Sequence, residues 1–135
     1  MPNDFNKQII EEFRANAGVV GGPFQGATLV LLTTTGAKSG KRGTSPVMYM
    51  EDGDRYIVIA SNGGADQHPA WYHNLRATPQ ATAEIGTETF EVKADFMEGE
   101  ERDRLYARVV EIAPGFAEYE AKTTRRIPVV ALHRA

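Results

Sequence analysis

The chain opens on an amphipathic pattern. After Asn3 or Asp4, either of which can cap a helix, Phe5, Ile9, Ile10 and Phe13 recur at helical spacing. Gly18, Gly21, Gly22 and Pro23 end the pattern, which predicts a helix over 4–17. Its apolar stripe predicts core packing or a lid over a barrel mouth. Peripheral contact with a membrane surface is the sharper alternative, but Asp4, Glu11 and Glu12 outweigh Lys7 and Arg14, whereas membrane helices carry excess cations. Ala27 to Thr35 then reads as a buried strand, and Gly36 to Ser45 as a polar loop. Pro46 to Met50 and Arg55 to Ala60 read as strands around Asp52-Gly53, a strong hairpin signal. After the small-residue loop Ser61 to Gly64, Pro69 opens a short helix that Pro79 stops. Ala81 to Ile85 and Thr89 to Phe96 flank a turn at Gly86-Thr87. Glu98 to Ile112 predicts a helix burying Leu105, Val109 and Ile112. Pro114 and Gly115 break it, a short helical piece carries Phe116 and Tyr119, and Ile127 to Leu132 is a last strand.

Consecutive hairpins rather than alternating βαβ units predict an α+β fold, a small barrel of antiparallel strands with helices packed outside. At 135 residues the chain is the length of one domain, 1–135. The absence of cysteine excludes thiol nucleophiles, iron–sulfur clusters and thiolate zinc sites, and fits a reducing cytoplasm. A net charge of −3 argues against a nucleic-acid binder, which needs a basic surface. The polar start is unlike a signal peptide, and the run around Leu29 to Leu32 is far shorter than the ~20 apolar residues that cross a bilayer. These features predict a cytoplasmic protein with no integral membrane segment.

Against that acidic background, Thr33 to Ser45 gathers Lys38, Lys41 and Arg42 with three glycines, six hydroxyl side chains and no carboxylate. Glycine-freed backbone N–H groups beside lysines and hydroxyls form an anion site suited to phosphate or carboxylate. The spacing from Gly36 to Gly40 is wrong for a P-loop. A second cluster joins Ala60, Ser61, Asn62 and Gly63 to Trp71, Tyr72 and Asn74: small residues that admit a flat ring, then aromatic walls and a directed amide. Trp71 taken alone reads as core rather than ligand wall. His68, His73 and His133 lack metal-ligand spacing, and no G-x-S-x-G marks a serine hydrolase.

The stretches LLTTTGAKSGKRGTSPVMY (31–49), DGDRYIVIASNGGADQHPAWYHNLRATP (52–79) and RRIPVV (125–130), with FNKQIIEEFRANAG and GGPFQGA before them, resemble the deazaflavin-dependent nitroreductase family of actinobacteria. The resemblance covers nearly the whole chain. It implies a split β-barrel like that of FMN-binding oxidoreductases, holding coenzyme F-420 in a groove. It implies that Ala37, Lys38, Ser39, Lys41 and Arg42 hold the cofactor's phosphate and acidic tail. Thr44, Ser45, Pro46, Val47 and Met48, with Ala60, Ser61, Asn62 and Gly63, would line the ring and ribityl chain. Trp71, Tyr72 and Asn74 would close the groove. The implied reaction is hydride transfer from reduced F-420 to a small electron-poor acceptor such as a quinone, an enone or a nitroaromatic. Ser61 would bond near the ring, and Tyr119 would orient or protonate the acceptor. A non-catalytic carrier of F-420, FMN or haem on the same barrel is the alternative. Two positions depart from the family pattern. Gly43 stands where an Arg is frequent, and Ala113, Phe116 and Tyr119 occupy the region of a tyrosine cluster, of which one hydroxyl remains.

Overall fold

A computed structural model describes residues 4–16, 29–61, 67–123 and 125–135. Helix α1 (Asp4–Ala15) precedes three strands, β1 (Leu29–Thr35), β2 (Arg42–Asp52) and β3 (Arg55–Ile59). Helix α2 (Ala70–Ala77), strands β4 (Gln80–Ile85) and β5 (Glu88–Phe96), helices α3 (Gly99–Ile112) and α4 (Gly115–Lys122), and strand β6 (Val129–Arg134) follow. The strands close an antiparallel barrel in the order β1-β2-β3-β6-β5-β4. This is the predicted architecture and element order. No helix among the described residues is long and apolar enough to cross a membrane.

Side-chain alternation explains why β1 reads as an unbroken apolar run, because both of its faces are buried. Val30 and Leu32 face the barrel core with Val47, Val58, Ala83, Val92, Val130 and Leu132. Leu29 and Leu31 face outward against Ile9 and Phe13 of α1, which therefore packs on the barrel wall and not over its mouth. On the opposite wall Ile57, Ile59, Val129 and Ala131 meet Leu105, Val109 and Phe116 of α3 and α4. Helix α2 packs over one end of the barrel. Its Trp71 and Leu75 belong to the interior core, so it plugs the mouth where β3 ends and β4 begins. The β2–β3 hairpin turns at Gly53, whose φ of 63° lies in the left-handed region that glycine enters without strain.

One boundary and one buried face differ from expectation. Strand β2 starts at Arg42 rather than Pro46, because Arg42 to Met48 pair with Thr35 to Leu29 despite their polarity. Its ladder with β3 covers only Tyr49 to Asp52. Over Arg42 to Met48, β2 thus has one ladder partner among the described residues, which is where a strand tolerates Pro46 and its missing N–H. On α3, Leu105 and Val109 are buried as predicted, but Ile112 in the last position is 69% exposed. Arg102 is buried instead. Its guanidinium donates to the Ile127 carbonyl at 3.1 and 2.7 Å, pairs with Asp103 and Glu120, and lies 4.6 Å over the Tyr106 ring.

Candidate functional site

The basic turn between β1 and β2 is rigid at its base. The Gly36 N–H donates to the Lys41 carbonyl at 2.8 Å, the Gly40 N–H to the Gly36 carbonyl at 3.0 Å, and the Lys41 N–H to Ser39 Oγ at 3.1 Å. A Cβ on Gly36 would fall 2.5 Å from that hydroxyl and 3.2 Å from the Lys41 carbonyl oxygen, so a side chain there would push the Ser39 hydroxyl off its bond to Lys41. Asn74 fastens the turn to α2, accepting from the Ala37 N–H at 2.9 Å and donating to Thr34 Oγ1 at 3.0 Å. Lys38 and Lys41 are exposed and have no ion-pair partner among the described residues. Arg42 behaves differently from the expectation of one common cation cluster. It donates to Thr35 Oγ1 at 3.2 Å and Thr82 Oγ1 at 2.8 Å, and Thr82 donates to Glu91 at 2.6 Å. Arg42 thus reaches across β1 toward β4, away from β3, and a carboxylate stands one hydroxyl away.

Several predicted groove residues serve the fold itself. Trp71 is 7% exposed in the barrel core, and Val47 packs in the same core. Asn74 spends its amide on Ala37 and Thr34. Thr44 shares a 2.8 Å hydroxyl contact with Thr33, while Ser45, Pro46 and Met48 are half-buried along β2. Tyr72 packs against the core and makes ring contacts with His68 and Phe96. Asn62 and Gly63 lie outside the described residues, as do Gly18 to Pro23 and Ala27.

Ala60 and Ser61, both buried, follow β3. The Ala60 N–H donates to the Pro128 carbonyl at 3.0 Å. Arg125 holds the other side: Nη1 donates to the Ala60 carbonyl at 3.2 Å and meets His68 Nδ1 at 2.9 Å, while Nη2 donates to the Ser61 carbonyl at 2.7 Å. Burial, then the charge of Arg125 and then His73, hold the His68 imidazole below its ordinary pKa. Sequence reasoning assigned Arg125 no role, and an arginine pair before a strand gives no local signal of one.

A cleft of about 340 Å³, counting the part open to solvent, lies between the outer wall of β2 and β3 and the α3–α4 junction. Met48, Met50, Ile59, Ile112, Ala113 and Phe116 line it. The Tyr106 hydroxyl donates to the Phe116 carbonyl at 2.6 Å and fixes α4 to α3; burial pushes that phenol up to about 12, so it stays protonated at neutral pH. Tyr119, half-buried, stands edge-on to Phe116 with ring centres 5.3 Å apart. Met48 therefore joins two regions: the half of β2 without a second partner, and this apolar cleft.

The closed antiparallel barrel thus carries, just before β2, two lysines with no ion-pair partner among the described residues, and further along β2 an apolar cleft at Met48 and Met50. The chain belongs to the F-420H(2)-dependent quinone reductase family, whose sequence profile matches residues 6–134. It is similar to an F-420H(2)-dependent quinone reductase of Mycobacterium tuberculosis, 38% identical over 128 residues, covering 90% of this chain and 85% of that protein. A solved F-420-H2 dependent reductase, FDR-A, is 42% identical with a TM-score of 0.71, covering 78% of this chain and 94% of that one. A chain solved as a domain-swapped dimer is 37% identical with a TM-score of 0.73 and 96% coverage of both. The resemblance read from the loop motifs is thereby borne out.

Proposed function

We propose that this protein is an F-420-dependent reductase whose acceptor is a quinone. The observation that carries the reading is the course of β2, which runs from the unpaired Lys38 and Lys41 to the apolar cleft at Met48. From Arg42 to Met48 that path is ~20 Å at ~3.3 Å per residue, the scale of an extended cofactor with an anionic tail and a flat ring. The donor set fits such a cofactor. Two unpaired ammonium groups suit phosphate and carboxylates, the Thr44 to Met48 edge suits a ribityl chain, and Ala60 and Ser61 bring backbone close to a ring.

When bound, reduced F-420 supplies a hydride. The chain's own residues do the rest. Lys38 and Lys41, with Ser39 beside them, draw in the acidic tail. Ser45, Pro46 and Met48 present the β2 edge, and the Ser61 N–H offers a donor at the ring. The cleft favours a neutral, apolar acceptor, because its lining is aliphatic, aromatic or thioether apart from the Tyr49 hydroxyl. A quinone that accepts a hydride needs one more proton to become the quinol. We assign its delivery, and the orientation of the acceptor oxygen, to the Tyr119 hydroxyl. Enones and nitroaromatics are smaller-scope acceptors of the same cleft.

Mixing the protein with reduced F-420 and menadione should restore the oxidised cofactor's absorbance faster than the protein-free control. No acceleration with quinones, enones or nitroaromatics, despite F-420 binding, would make the protein a carrier instead. Preferential uptake of FMN over F-420 would overturn the cofactor assignment.

A further inference from the structure

We propose that Arg125 is a positioning residue that aims the Ser61 backbone N–H into the cofactor groove. The proposal rests on the functional reading above and extends it to a side chain outside the groove. A trans peptide is planar, with its C=O and N–H on opposite sides. The Ala60 carbonyl points at Arg125 Nη1, 3.2 Å away, so the Ser61 N–H of the same peptide points to the opposite side. That N–H has no acceptor among the described residues, although Ser61 is only 7% exposed. A buried donor without a partner is costly unless a ligand completes it. The neighbouring donor, the Ala60 N–H, is already used by Pro128.

The guanidinium is suited to this task in a way an ammonium is not. Its planar fork reaches two successive carbonyls, Ala60 through Nη1 and Ser61 through Nη2, and Nη1 also meets His68 Nδ1. With Arg125 donating, Nδ1 is the acceptor and His68 carries its proton on Nε2. One side chain therefore fixes the chain as it leaves β3 and again at His68, just before α2 begins at Ala70. Arg125 itself follows α4 closely, between Lys122 and the start of β6 at Val129. It binds the segment after the acceptor-side helix to the cofactor-side backbone.

The test compares wild type, Arg125→Lys and Arg125→Gln by equilibrium dialysis against F-420, with steady-state kinetics on menadione. Loss of the fork should weaken F-420 binding at least tenfold in Arg125→Gln and severalfold in Arg125→Lys, with the menadione KM at saturating F-420 within twofold of wild type. Nitrogen NMR should show His68 as the Nε2–H tautomer in wild type and a mixture in Arg125→Gln, a change that a general loss of packing does not produce. F-420 affinity within twofold of wild type in a folded Arg125→Gln protein overturns the proposal. If Arg125→Gln does not fold, the same threshold is applied to Arg125→Lys. If wild type itself holds no F-420, the functional reading has failed. The clamp is then decided by amide exchange at Ala60, whose N–H is bonded to Pro128 and which must exchange faster in Arg125→Lys; unchanged exchange refutes it.

Discussion

Asn74→Ala isolates how the basic turn is held. Asn74 is the one side chain of α2 that grips both β1 and the turn, through Thr34 Oγ1 at 3.0 Å and the Ala37 N–H at 2.9 Å. The two losses differ in kind. Ala37 is exposed, so water replaces the amide oxygen and the net cost is about 0.5–1 kcal/mol. Thr34 is 2% exposed, and its stranded hydroxyl carries a desolvation penalty of about 1–3 kcal/mol. The sum, about 1.5–4 kcal/mol, lowers Tm by roughly 5–15 °C for a domain of this length. The same argument fixes the outcome of a double substitution. In Asn74→Ala with Thr34→Val no buried hydroxyl is left without a partner, so the pair should be at least about 1 kcal/mol more stable than the sum of the single losses. Thermal and urea unfolding of the four proteins measure the cycle, and F-420 binding to the single variant reports whether the loosened turn still presents Lys38. Additive losses within about 0.3 kcal/mol would refute the coupling, and with it the assignment of Asn74 as the anchor.

Lys38→Ala and Lys41→Ala should each weaken F-420 binding about fivefold to tenfold, up to about 1.4 kcal/mol, and flatten its dependence on ionic strength, read by dialysis at low and high salt. Arg42→Ala, whose side chain is turned toward Thr35 and Thr82, should change affinity less than either lysine does. Tyr119→Phe should lower kcat with menadione while leaving the F-420 dissociation constant within twofold; lost affinity would put Tyr119 at the cofactor instead. The Asp52 carboxyl is held below its ordinary pKa by hydrogen bonds from Arg55 and then Arg108. Its stabilising contribution is present above the ordinary carboxylate range and lost as pH falls through the lowered value. Asp52→Asn should therefore shrink the acid limb of a Tm-against-pH profile measured from pH 6 to pH 2.

The barrel was legible where local chemistry and burial agree. The turns at Gly53 and Gly86 are set by residues that accept positive φ, and β1 is apolar on both faces because α1 covers its outer one. Legibility fails where a residue's partner is distant in sequence. Arg42 to Ser45 look like loop because they hold no apolar residue and include Gly43, a weak strand former, yet they pair with β1 across a short turn. Arg102 reads as a surface helix residue, but the Ile127 carbonyl, 25 residues away, needs a donor, and the guanidinium supplies it. Ile112 fits the helical stripe, but that stripe outlasts the surface it covers at the end of α3.

For the site the same distinction separates what composition reveals from what geometry decides. Lys38, Lys41 and Arg42 are near neighbours in sequence, and a carboxylate-free loop in an acidic protein makes all three equal candidates for anion capture. The strand that begins at Arg42 makes them unequal. Antiparallel pairing carries the Arg42 side chain across Thr35 to Thr82, beside Glu91, whereas the lysines stay on the turn with their charge unspent. A cation near a carboxylate is already partly neutralised, so electrostatic attraction for an incoming polyanion falls mainly on the two lysines. Trp71 and Tyr119 show the complementary case, two aromatics of matching appeal in sequence. The plug position of α2 sends Trp71 into the core, and α4, tied down by the Tyr106 bond to Phe116, sets Tyr119 edge-on to Phe116, which lines the apolar cleft. The proposed division of labour between tail-binding lysines and an acceptor-side tyrosine rests on where the β1–β2 turn and α4 place those side chains.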